Sequence, residues 1–188
     1  MKIGILISGR GSNMVAIVDA VRSGEIPSSE VVVVVSDKAD AGGLAKARER
    51  GVETVVVERN GRKRTEHDAE IIAELQKRGV ELVCLAGYMR LISPSFVQAF
   101  PDRIINIHPS LLPAFPGLDA QKQAFDAGAP VTGCTVHYVD ELLDHGEVIL
   151  RREVERRADD TVESLSARIL EQEHSLYVEA LQLIVTGN

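Results

Sequence analysis

At 188 residues, 45% hydrophobic and 26% charged, the chain has the composition of one ordinary globular domain able to bury roughly 70% of its unfolded surface, which excludes a disordered protein. A net charge of −7 sets a large nucleic-acid partner against an unfavourable overall field. The opening "MKIGILIS" has too short an apolar run for a signal peptide or a spanning helix, and no membrane partner is expected.

Short β-branched runs alternate with helical patterns from the first residue. Lys2 to Ser8, Glu30 to Ser36, Val52 to Glu58, Glu81 to Ala86 and Arg103 to His108 read as strands. Between them, Ser12 to Ser23, Leu44 to Arg50 and Thr65 to Arg78 read as helices, stopped by Gly24, Gly51 and Gly79. This order predicts an α/β fold: an open, mostly parallel, Rossmann-like sheet with helices on both faces. After residue 117 a helix from about Leu118 to Ala127 precedes two strands, "VTGCTVHYVD" and "GEVILRREVE", which would extend the sheet as antiparallel strands. A long helix from Thr161 to about Val185 closes the chain. With no repeat and no linker, one domain is expected, with a phosphate-binding half over about residues 1–100 and a second half over about 101–188. Cys84 and Cys134 lie inside apolar runs without CxxC spacing and read as core residues of a reduced, cytoplasmic protein.

"LISGRGSNM" places Gly9 and Gly11 between the first strand and the first helix. Glycines there let the backbone approach a ligand, and a helix N-terminus attracts anions such as phosphate. Met14 stands where a dinucleotide fingerprint would carry its third glycine, which favours a phosphomonoester. Under the plainer alternative, Ser12 caps the helix and the glycines make a turn. Asp37, ending the second strand, fits either a ribose contact or a turn.

In "RIINIHPSLLPAFPG", Ile104, Asn106 and His108 share one face of a strand, while Ile105 and Ile107 point to the other. They stand at the carboxyl end of a parallel series, where ligands collect in open α/β sheets. An amide that donates to a developing oxyanion, beside an imidazole, suits acyl-type transfer. No nucleophile elbow is present, so the attacking group would belong to the substrate. The loop "YVDELLDHGEV" offers Asp140, Glu141, Asp144 and Glu147; one of them near His108 would favour its protonated form, and spacing does not choose among the four. On the final helix Glu173 falls within the apolar stripe of Val162, Leu165, Ile169, Leu176 and Ala180. Facing inward, it requires a cation or a polar ligand.

The stretches "ISGRGSN", "SDKADAGGLAKA", "LAGYMRLISPSFV", "NIHPSLLPAFPG", "GCTVHYVDELLDHGEVIL" and "EQEHSLY" resemble, in order and over the whole chain, the phosphoribosylglycinamide formyltransferases of the folate-dependent formyltransferase group. The resemblance implies formyl transfer from 10-formyltetrahydrofolate to the glycyl amine of glycinamide ribonucleotide in purine biosynthesis. Attack would be direct, through a tetrahedral intermediate, without a metal or a covalent enzyme adduct. It further implies Asn106, His108 and Asp144 as catalytic residues. Gly11, Ser12 and Asn13 would hold the substrate phosphate, and Glu173 its glycinamide portion. Arg64, Met89, Arg90, Leu91 and Ile92 would bind the folate, together with Asn106 and the loop Asp140, Glu141, Leu142, Leu143 and Asp144. Asp119, His145 and Leu170 depart from the family pattern, and His137 reads as a structural neighbour of the site. Two small-molecule substrates and a monomer or homodimer are the expected partners. Within the same group, a methionyl-tRNA formyltransferase or a formyltetrahydrofolate deformylase would be expected to carry an extra domain. A noncatalytic phosphate-binding module would leave Asn106, His108 and Glu173 unexplained.

Overall fold

A computed structural model of the protein describes residues 1–187. The chain runs β1 (Lys2–Ile7), α1 (Ser12–Ser23), β2 (Glu30–Ser36), α2 (Gly42–Glu49), β3 (Thr54–Val56), α3 (Arg64–Lys77), β4 (Leu82–Leu85), α4 (Pro94–Ala99), β5 (Ile104–His108), α5 (Ala120–Asp126), β6 (Val131–Tyr138), β7 (Val148–Glu155) and α6 (Val162–Thr186). One seven-stranded sheet has the order β3-β2-β1-β4-β5-β6-β7. The pairs from β3 across to β5 are parallel, and β5-β6 and β6-β7 are antiparallel.

Strand alternation divides the core in two. Ile3, Ile5 and Ile7 of β1 and Ile105 and Ile107 of β5 pack with Met14, Ile17, Leu44, Ile169 and Leu176, which puts α1, α2 and α6 on one face. Leu6, Val33, Val35 and Ile104 pack with Ile71, Leu75, Phe96 and Phe100, which puts α3 and α4 on the other. The expected fold class holds, antiparallel extension included. The elements depart locally from the sequence pattern. β3 is a three-residue edge strand, where the sequence pattern suggested seven; it pairs only with β2, and an edge strand gains from being short. α2 begins two residues earlier than its apolar pattern, at Gly42. α4 is absent from the sequence reading because its six residues are too few to display a helical period, though Pro94 after Ser93 is a helix-start signature.

This topology locates the ligand edge. β1 and β4 are parallel neighbours, but the strands after β1 are laid down to one side and those from β4 onward to the other, which makes this the switch point at which a crevice opens beyond the strand ends. Ser8, just past β1, donates its backbone N–H to the Gly87 carbonyl at 3.1 Å, so the loops following β1 and β4 lie side by side there.

Candidate active site

The turn after β1 is built for close approach. Gly11 is the N-cap of α1 in the left-handed region, φ 68°, and no side chain caps the helix. A Cβ at Gly11 would stand 2.8 Å from the Gly43 Cα, so glycine is required by conformation and by space alike. Gly43 in turn donates its N–H to the Gly9 carbonyl at 2.9 Å. The plainer reading, in which Ser12 caps the helix, therefore fails, and the first-turn N–H groups face the strand-end crevice without a side-chain acceptor.

Asn13 and Glu173 meet across the molecule. Asn13 Nδ2 donates to Glu173 Oε2 at 2.8 Å, with both residues buried. Burial raises the carboxyl's pKa and the Asn13 bond opposes the rise; no cation enters the balance. Arg168, the alternative partner, instead pairs with Asp160. Asn13 Oδ1 is buried and unpartnered, a polar atom suited to a ligand donor.

Asn106 and His108 project from the end of β5 on the face of Ile104. His108 Nε2 lies 2.9 Å from the Phe115 carbonyl. A carbonyl only accepts, so Nε2 carries a hydrogen, and Nδ1 is the nitrogen left for chemistry. Nδ1 stands 3.5 Å from Asp144 Oδ2, with both side chains under 10% exposed. Asp144 sits at φ 50°, a conformation Asp tolerates, and its Oδ2 accepts the Gly117 N–H at 2.8 Å. Of the four loop acids, Asp144 is the one turned toward His108. Asp140 instead accepts from Leu142 N–H and pairs with His145, both at 2.8 Å, and Glu141 is exposed and near Gln98.

His137 is part of this cluster. It stands directly opposite Asn106 in the β5-β6 ladder. Its Nδ1 donates to the Tyr138 carbonyl at 2.8 Å, which leaves Nε2 as an acceptor for Asn106 Nδ2 at 3.3 Å. Burial pushes the imidazole's pKa down, against the Tyr138 bond and the Asp144 charge, and so favours the neutral ring that this arrangement needs. The amide of Asn106 is thereby oriented, with its second N–H unclaimed by His137. The alternation of Thr135, His137 and Val139 carried only a hint of this, because cross-strand register is not written in either strand.

A cavity of about 340 Å³ is lined by Arg59, Arg64, His67, Asp68, Met89, Arg90 and Leu91, which brings Arg64 at the start of α3 together with the segment after β4. Met89 and Leu91 are more than half exposed, as are Leu142 and Leu143 of the acidic loop; Ile92 is half-buried. Apolar side chains beside three arginines suit a molecule with an apolar ring system and an anionic end.

The formyl transferase family profile matches residues 1–181. The chain belongs to the formyl transferase family. It is 43% identical over 188 residues to the phosphoribosylglycinamide formyltransferase of Escherichia coli K12, covering 100% of this chain and 88% of that one. It is 44% identical over 190 residues to the trifunctional purine biosynthetic protein adenosine-3 of Gallus gallus, covering all of this chain but only 19% of that protein. The crystal structure of glycinamide ribonucleotide transformylase 1 from Symbiobacterium toebii superposes with a TM-score of 0.97 at 52% identity, over 100% of this chain and 88% of that one. Among the described residues, no helix is long and apolar enough to cross a membrane.

Proposed function

We propose that the protein transfers the formyl group of 10-formyltetrahydrofolate to the glycyl amine of N1-(5-phosphoribosyl)glycinamide, a step of purine biosynthesis; relatives named phosphoribosylglycinamide formyltransferase and purine biosynthetic protein support the acceptor and the pathway. The observation that carries this reading is the His108–Asp144 pair at 3.5 Å beside Asn106, at the same strand-end edge as the uncapped turn at Gly11. The backbone N–H groups of Gly11, Ser12 and Asn13 hold the phosphate, and Glu173, fixed by Asn13, receives the glycinamide end. Arg64, Met89, Arg90, Leu91 and Ile92, with Asn106 and residues 140–144, bind the folate.

Asn106 Nδ2 and His108 Nδ1 donate to the formyl oxygen as the substrate amine attacks the formyl carbon and the carbon-oxygen π pair moves onto that oxygen. Asp144 holds the imidazole and balances its positive charge. As the oxyanion collapses, the bond from the formyl carbon to the folate nitrogen breaks. The proton lost by the amine reaches that nitrogen by way of His108 and Asp144. No enzyme nucleophile takes part.

The test supplies 10-formyltetrahydrofolate with glycinamide ribonucleotide, with methionyl initiator tRNA, or with water alone, and follows loss of the formyl donor. Loss that requires the ribonucleotide and its 5′-phosphate is expected. Equally fast loss in water alone would overturn the reading in favour of a deformylase.

A further inference from the structure

Asp37 stands in the bend just after β2, and its carboxylate is committed to partners distant in sequence. Its side chain is 1% exposed, which a carboxylate tolerates only when paired. Its two oxygens take different partners. Oδ1 accepts from Ser8 Oγ at 2.6 Å and Oδ2 accepts from Arg90 Nε at 2.5 Å. The Ser8 hydroxyl itself accepts the Met89 N–H at 2.9 Å. One buried carboxylate at the end of β2 thus holds both the side chain of Arg90 and, through Ser8, the backbone of the residue before it. Ser8 is also the residue from which the Gly9–Gly11 turn departs.

We propose that Asp37 is a positioning residue for the formyl donor: it fixes the Arg90 guanidinium by its Nε edge and ties the donor-binding segment to the end of β1. Arg90 has five donors in a rigid fork; the Nε contact leaves its Nη groups with no other protein partner among the described residues, and Arg90 lines the cavity. Fixing one edge lowers the rotamer entropy lost when the other meets a carboxylate. The glutamate tail of a folate is that carboxylate. This inference rests on the assignment of the cavity to the folate.

The experiment compares wild-type protein, Asp37→Asn and Ser8→Ala in steady-state transfer and in calorimetric titration with tetrahydrofolate. A pteroyl analogue that lacks the glutamate is titrated in parallel. Asp37→Asn keeps an acceptor for Ser8 and loses the charge that holds Arg90. The donor KM and the tetrahydrofolate Kd should rise about tenfold, the scale of one charge-assisted hydrogen bond, while kcat and the ribonucleotide KM stay within about twofold. Affinity for the tail-less analogue should not change. Ser8→Ala should weaken tetrahydrofolate binding in the same direction and keeps the test alive if Asp37→Asn fails to fold. An unchanged Kd, an equal loss with the tail-less analogue, or absence of tetrahydrofolate binding by the wild type would overturn the proposal. Wild-type binding of tetrahydrofolate without transfer to the ribonucleotide would count against the proposed function alone, and the effect of Asp37→Asn on that binding would still decide the role of Asp37.

Discussion

Asp144→Asn isolates one charge. Asparagine tolerates the left-handed backbone at φ 50°, and its oxygen can still accept the Gly117 N–H that Asp144 Oδ2 now takes at 2.8 Å. What disappears is the negative charge 3.5 Å from His108 Nδ1. At an effective dielectric constant of about 20, two unit charges at that separation attract by about 4.7 kcal/mol, or about 3.5 decades in rate if all of it acted in the transition state. Part of the attraction already exists before the amine attacks, and that part does not accelerate the chemistry. The expected result is a kcat lower by about a hundred- to a thousandfold, with both KM values within about threefold. Steady-state kinetics over neutral pH, with thermal melting to check the fold, measures this. A kcat within about fivefold of wild type, or a loss carried mainly by KM, would refute the role given to Asp144.

His137→Phe removes the acceptor that orients Asn106 and should lower kcat about tenfold, and His137→Gln, which restores an acceptor, should recover most of it. Because burial holds the His137 pKa below 6.5, the unfolded chain takes up this proton first. Stability should therefore fall as the pH drops through 6.5 toward the folded-state value, and His137→Gln should lose that part of the fall in urea titrations at several pH values. Glu173 has the opposite sign: its pKa is raised above 4.5 by burial, so its charge costs stability at neutral pH and the cost is relieved as the pH falls through the raised value. Glu173→Gln should raise Tm by about 2–4 °C at neutral pH, while the ribonucleotide KM rises about tenfold; a lower Tm would contradict the electrostatic account. At Gly146 a Cβ would lie 1.8 Å from the Tyr138 carbonyl oxygen. Gly146→Ala should push the 140–146 loop from β6 and cut kcat on the order of a hundredfold, as displacement of a reacting group by about 1 Å does.

The parts of this protein legible in its sequence are those carried by local period. Alternation of β-branched runs with helices stopped by Gly24, Gly51 and Gly79 encodes the parallel sheet, because each element states its own type and end. The face shared by Ile104, Asn106 and His108 is legible for the same reason: a two-residue period needs no partner to be read. α4 is not legible because six residues cannot display a helical period, and the pattern makes β3 too long because apolar composition does not reveal which strand lies at the edge.

The site was legible only as a set of separate anomalies. Which loop acid reaches His108 depends on how residues 140–146 fold back past Gly117, and spacing leaves Asp140, Glu141, Asp144 and Glu147 equivalent, so that only the family resemblance selects Asp144. The role of His137 depends on the register between β5 and β6, which are separated by the 22 residues 109–130, and no short turn fixes that register. Asp37 is the extreme case, since its partners Ser8 and Arg90 lie 29 and 53 positions away in loops with no common period. A buried charge is recognised as buried only after the sheet has brought its strand ends together. In this fold the strand bodies are therefore readable one at a time, and the chemistry collects at strand-end loops whose meaning depends on their neighbours across the switch point.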